Sequence, residues 1–189
     1  MVSEKANRSN AAGNDNMVDE LTNDIANISS DVKYSTGIQL VYTGLLMSKY
    51  ADLVLSRLNL NVPRIILIFT LIMHGGSLKS RDLARLTFRS KQNVSVIIEG
   101  LYKNGLVSKQ SDPKDHRSSK IVVTRKGLDL ARTSYPIILE VFTSSFSAID
   151  EKRIQDFKLN LKDIRKTLYK QFDEFAAGKV LFNGRTKNT

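Results

Sequence analysis

The stretch LKSRDLARLTFRSKQNVSVIIEGLYKNG, Leu78 to Gly105, holds two apolar rhythms separated by a three-residue gap. Leu83, Ala84 and Leu86 gather on one side of a short helix from about Ser80 to Leu86, and Val94, Ile97, Ile98 and Leu101 keep the i, i+3, i+4, i+7 spacing of a second. The gap is TFR; Ser90 after it suits an N-cap, and Asn104-Gly105 supplies a left-handed stop. Helix, tight turn, helix is the order of a helix-turn-helix. With the apolar stripe of the second helix turned inward, steps of about 100° per residue bring Gln92, Val96, Glu99 and Lys103 outward, flanked by Lys91, Asn93 and Ser95. The leading half of that face can read bases: Gln and Asn make bidentate contacts to adenine, Ser donates or accepts, and Val packs on a thymine methyl. Ser90 and the first helical amides can hold a phosphate. The plainer reading of these residues is the solvated side of an ordinary helix.

Downstream, GLVSKQSDPKDHRSSKIVVTRKG (Gly105 to Gly127) sets Leu106-Val107 and Ile121-Val122-Val123 around a polar tip. This predicts a two-stranded wing with a tip of about nine residues, longer than the usual hairpin loop. Arg117 is placed to enter a narrow minor groove with Asp115 bracing it, while Lys114, Lys120, Arg125 and Lys126 would neutralise phosphates. A charged turn built around Pro113 is the bland alternative. Thr124 is the expected cap of a helix from about Arg125 to Ser147, kinked at Pro136.

Upstream, NVPRIILIFTLIMHGG is apolar on nearly every side. Its β-branched residues would permit a strand, but Asn61 as cap, Pro63 in the first turn and Gly75-Gly76 as a stop favour a buried helix. Before it, Ile38, Val41, Tyr42, Leu45, Leu46, Tyr50 and Leu53 mark an amphipathic helix from about Thr36 to Leu58. Residues 1–30, rich in Asn, Ser, Asp and Ala, read as a flexible tail in which Met17 offers an alternative start. At the other end Asp150 caps a last helix whose Ile154, Phe157, Leu161, Ile164, Leu168, Phe172 and Phe175 are spaced 3, 4, 3, 4, 4, 3. That spacing is a packing seam for another helix, in the chain or on a second copy. The expected partition is a tail at 1–30, an N-terminal helix at 36–60, a DNA-binding lobe at 61–126, C-terminal helices at 127–178 and a loose tail at 179–189.

Charge reinforces this partition. Of the formal +10, residues 79–126 carry 12 Lys/Arg against 4 Asp/Glu, so +8 lies in a quarter of the chain. Such crowding points to a polyanionic partner. The chain has no cysteine, which excludes disulfides and thiolate metal sites and fits a reducing cytoplasm. The longest apolar run, Ile65 to Met73, is about half a bilayer span, so no membrane role is expected.

In RDLARL, VSVIIEGLYKNGLV and DPKDHRSSKIVVTRKG, the region from Asn61 to Gly127 resembles the MarR family of winged helix-turn-helix transcription regulators. The resemblance implies a mostly α fold with a small β-hairpin wing and terminal helices that pair two copies. It implies a homodimer, probing double-stranded DNA at a pseudo-palindromic operator and acting as a repressor. The family's wing arginine and aspartate fall on Arg117 and Asp115, and its recognition-helix positions on Ser90 through Ser95. Val96 departs from the family, which often has an arginine there, and Lys79 stands where a Ser/Thr cap is common. The resemblance also implies a small aromatic or anionic effector, for which Tyr42, His74, Arg85 and Arg89 are the candidates; surface cations, a satisfied histidine and a core tyrosine are the other reading. The dimerisation candidates are Ile154, Phe157, Leu161, Ile164 and Leu168.

An enzyme is not expected, and no cofactor. Only His74 and His116 are available, there is no glycine-rich phosphate loop, and Asp112, Asp115 and His116 beside Lys114 and Arg117 make a poor metal site. The competing function is a winged helix that coats DNA without sequence preference or binds protein.

Overall fold

The structure, a computed structural model, describes residues 17–112 and 115–177, and within these it leaves the side chains of 111, 112 and 115–119 undescribed. Lys114 therefore lies outside the described residues, as do the side chains of Asp115 and Arg117. The helices are α1 (17–29), α2 (Val32–Leu55), α3 (Val62–Met73), α4 (Ser80–Leu86), α5 (Lys91–Lys103), α6 (Arg125–Ser144) and α7 (Glu151–Ala176). The strands are β1 (Ser77–Lys79), β2 (Val107–Asp112) and β3 (Asp115–Val123). The chain forms two compact units that divide within α6, after Ile138.

In the first unit the core is built where the apolar rhythms meet. Leu67, Ile68 and Leu71 of α3, Leu83 of α4, and Val94, Ile98 and Leu101 of α5 close on Leu106, Val107 and Ile121 at the root of the sheet. Each such side chain contributes about 1.5–3 kcal/mol by leaving water, so this cluster decides how the two helices of the turn cross. A second cluster, Leu55, Leu60 and Ile65, seats the end of α2 against the start of α3. There Asp52 accepts a 2.5 Å hydrogen bond from the Val62 amide, and Asn61 caps α3 through the Arg64 amide at 3.0 Å. Phe69 meets Tyr135 edge-on with ring centres 6.5 Å apart, joining α3 to α6.

Gly127 shows why the helix after the wing starts as it does. Thr124 Oγ1 donates to the Gly105 carbonyl at 2.7 Å and accepts from the Gly127 amide at 3.1 Å. The Thr124 amide donates to the Leu106 carbonyl at 3.1 Å. These bonds draw Gly127 against Leu106 so closely that a Cβ would sit inside the contact distance of the Leu106 carbonyl oxygen.

Several sequence expectations need correcting. The wing belongs to a three-stranded antiparallel sheet in the order β1-β3-β2, with Leu78 opposite Ile121 and Lys109 opposite Ile121 on the other side. β1 is too short, at three residues, to show a period of two. The expected nine-residue tip is mostly strand, since β2 runs to Asp112 and β3 begins at Asp115. Beyond its root the hairpin sequence, SKQSD and DHRSSK, is polar throughout and lacks the alternation that would have marked those residues as strand.

The expected flexible tail is helical from residue 17 to 29. Averaging composition over thirty residues hid the stripe Val18, Leu21, Ile25 and Ile28, which keeps helical spacing although every member is exposed. α2 starts at Val32 rather than near Thr36 because Asp31 caps it, accepting from the Tyr34 amide at 2.8 Å. α6 ends at Ser144, with Pro136 inside it.

In the second unit Asp150 caps α7 through the Arg153 amide at 3.0 Å, and no residue of α7 is buried. Phe146 and Phe157 pack with ring centres 6.5 Å apart.

Candidate nucleic-acid interface

α5 presents the face that its periodicity implies. Val94, Ile98 and Leu101 are buried, whereas Ser90, Lys91, Gln92, Asn93, Ser95 and Val96 are exposed. Val96 is 69% exposed, a large apolar surface in the middle of a polar face. Ser90 Oγ accepts from the Asn93 amide at 3.2 Å and so fixes the helix start. Ser95 Oγ donates back to the Lys91 carbonyl at 2.9 Å. The side-chain carboxamides of Gln92 and Asn93 are exposed and make no hydrogen bond among the described residues.

The turn before this helix is costly. Phe88 adopts φ 54°, a left-handed conformation that a bulky side chain rarely takes, and its ring is 71% exposed. Next to it the Nε of Arg89 is buried without a hydrogen-bond partner among the described residues. α4 begins at Ser80 without a side-chain cap on Lys79, leaving Asp82 as the acidic residue of its first turn.

On the sheet Lys120 is exposed and stands directly across from Lys79. Arg125 is engaged by Asp129 at 3.2 Å, so its charge is partly answered within the protein.

Sequence reasoning missed one contact. Lys109 Nζ of β2 lies 2.7 Å from Glu99 Oε2 of α5 and 4.9 Å from the centre of the Tyr102 ring. The ammonium donates to the carboxylate and, with the charge it brings, holds the Glu99 pKa below the ordinary glutamate value. A lysine ten residues from its partner gives no local pattern; only the wing's fold-back brings the two together.

The four effector candidates sit on different elements. Tyr42 is exposed on α2, His74 ends α3 with Nδ1 2.8 Å from the Thr70 carbonyl oxygen, and Arg85 reaches Asp82 at 3.8 Å. Arg89 lies in the turn, and no hydrogen bond or ion pair joins any two of the four. A cavity of about 390 Å³ opens elsewhere, at the wing root between Ile72, Gly76, Ser77, Gln110, Val122 and Leu128. Among the described residues no cluster of three His, Cys, Asp or Glu could hold a metal, and no single helix is long and apolar enough to cross a membrane.

Two helices across a tight turn, the second with an open polar face, followed by a hairpin on a third strand, define a winged helix-turn-helix protein. Residues 58–118 match the model of the MarR family. Three solved structures share the fold. AbsC, a MarR family transcriptional regulator from Streptomyces coelicolor, is 20% identical with a TM-score of 0.67, covering 74% of this chain and 96% of its own. The MepR–DNA complex of S. aureus is 21% identical with a TM-score of 0.63, covering 72% and 99%. The organohalide-sensing regulator RdhR-CbdbA1625 in its 2,4-dichlorophenol-bound form is 19% identical with a TM-score of 0.67, covering 72% and 81%. Comparison with curated protein sequences finds no match.

Proposed function

We propose that this protein is a sequence-specific DNA-binding repressor that acts as a cytoplasmic homodimer on a pseudo-palindromic operator. The observation that carries the reading is the exposed Ser90–Val96 face of α5, set in the 48 residues that hold +8 of the net +10. Gln92 and Asn93 supply paired donors and acceptors for base edges, and Val96 supplies an apolar contact suited to a thymine methyl. Ser90 and Lys91 serve the backbone phosphate, while Lys114, Lys120 and Arg117 of the wing track the adjacent groove with Asp115 bracing the arginine.

The dimer is supported by apolar surface that has no cover within the chain. On α2, Val41, Leu45, Leu46 and Leu53 are all exposed. On α7, Ile154, Phe157, Leu161, Ile164 and Leu168 form one seam, with none of them buried. Two copies joined through such helices would present two reading heads to successive half-sites. Release by a small phenolic anion completes the proposal, with Tyr42, His74, Arg85 and Arg89 as its residues; a structural neighbour bound to 2,4-dichlorophenol supports that ligand class.

Val96 favours a second reading, an architectural protein that binds DNA of any sequence, because its side chain makes no hydrogen bond to a base. Selection of bound fragments from genomic DNA at near-physiological salt separates the two. An enriched inverted repeat supports the repressor, and uniform recovery supports the architectural protein.

A further inference from the structure

We propose that Lys109 is a positioning residue that fixes the wing against the reading helix through Glu99 and Tyr102. The proposal rests on the DNA-binding reading above. Among the described residues the core supports the wing at its root, through Leu106, Val107 and Ile121. In the ladder Lys109 pairs with that same Ile121, and the next pairs outward, Gln110 with Lys120 and Ser111 with Ser119, are polar. Lys109 is thus the outermost side chain of β2 shown to be tied back to α5.

One ammonium makes both contacts, donating to Glu99 Oε2 at 2.7 Å and standing over the Tyr102 ring at 4.9 Å. Glu99 and Tyr102 are three residues apart on α5 and so lie on neighbouring turns of one face. Either contact alone is modest on an exposed surface, but the two share the entropy of ordering a single lysine. A hinged tip would sample angles at which the wing and the α5 face cannot engage the same duplex together, and the tie removes those angles. The tie also spends the lysine's charge inside the protein, so Lys109 is assigned to geometry and not to phosphate binding.

The test uses full-length protein with Lys109→Met, Glu99→Gln and the charge swap Glu99→Lys/Lys109→Glu. Backbone hydrogen exchange across residues 108–112 is measured without DNA, and affinity is measured against the selected operator over a range of salt. Each single substitution is expected to speed wing exchange and to lower operator affinity by about 3- to 30-fold. The slope of log affinity against log salt should stay unchanged, and the swap should recover most of both effects. A slope reduced by about 0.9 in Lys109→Met, the mark of one lost phosphate contact, overturns the assignment. So does wing exchange that the single substitutions leave unaltered. If the wild-type protein shows no operator preference, the DNA reading fails while the exchange measurements still decide the tie.

Discussion

Replacing Gly127 by alanine sets helix propensity against packing, and the geometry decides the sign. Alanine favours a helix by up to about 1 kcal/mol over glycine, and less in the first turn, where Gly127 sits. The added methyl would be 2.8 Å from Val123 Cγ2, 3.2 Å from the Leu106 carbonyl carbon and closer still to the Leu106 oxygen. Carbon pairs rest at about 3.5–4.0 Å, so the chain must part by roughly 1 Å. The atoms in the way are mainly backbone, and they also accept the hydrogen bond from the Thr124 amide. Overpacking costs about 1–3 kcal/mol and a weakened hydrogen bond about 1 kcal/mol. The expected net loss is about 2 kcal/mol, or a fall of roughly 4–8 °C in Tm for a chain of this size. Urea titration and thermal melts followed by circular dichroism measure it. Gly100→Ala is the control, because there a Cβ would meet only the end of the flexible Arg64 side chain, at 3.4 Å. A Gly127→Ala protein within about 0.5 kcal/mol of wild type would refute the reasoning.

Phe88→Gly removes the penalty of an aromatic residue at φ 54° and should raise stability by about 1 kcal/mol in the same titration; a loss of stability would show that the exposed ring anchors the turn. Arg117→Ala should weaken operator binding by about 1–3 kcal/mol in fluorescence anisotropy while sedimentation still reports the wild-type dimer. Equal affinity would remove the arginine from the interface. Leu161→Asp places a charge in the α7 seam and should abolish the dimer and operator binding together, so a stable dimer in the centrifuge would relocate the interface.

What the sequence made legible were features with a period or a cap. α3 and α5 follow from uniform and striped apolar patterns, and their starts from Asn61 and Ser90, both of which accept the capping bonds expected of them. The exposed face of α5 was legible for the same reason: once Val94, Ile98 and Leu101 are inward, Gln92 and Val96 have nowhere else to point. β1 was not, because three residues pair with β3 for reasons that lie some forty positions away in the chain. The Lys109 tie was hidden similarly, since charge counting treats every lysine in the basic region alike and cannot tell which one the fold engages. Helix 17–29 escaped a compositional argument because its apolar residues are diluted by Asn, Ser and Asp around them.

The Thr124 hydroxyl grips the Gly105 carbonyl with one hand and the Gly127 amide with the other. The exit of α5 and the entrance of α6 are thereby pinned to a single oxygen. Thr124→Val would remove both of these bonds and leave the join to the Thr124 amide, which donates to the Leu106 carbonyl.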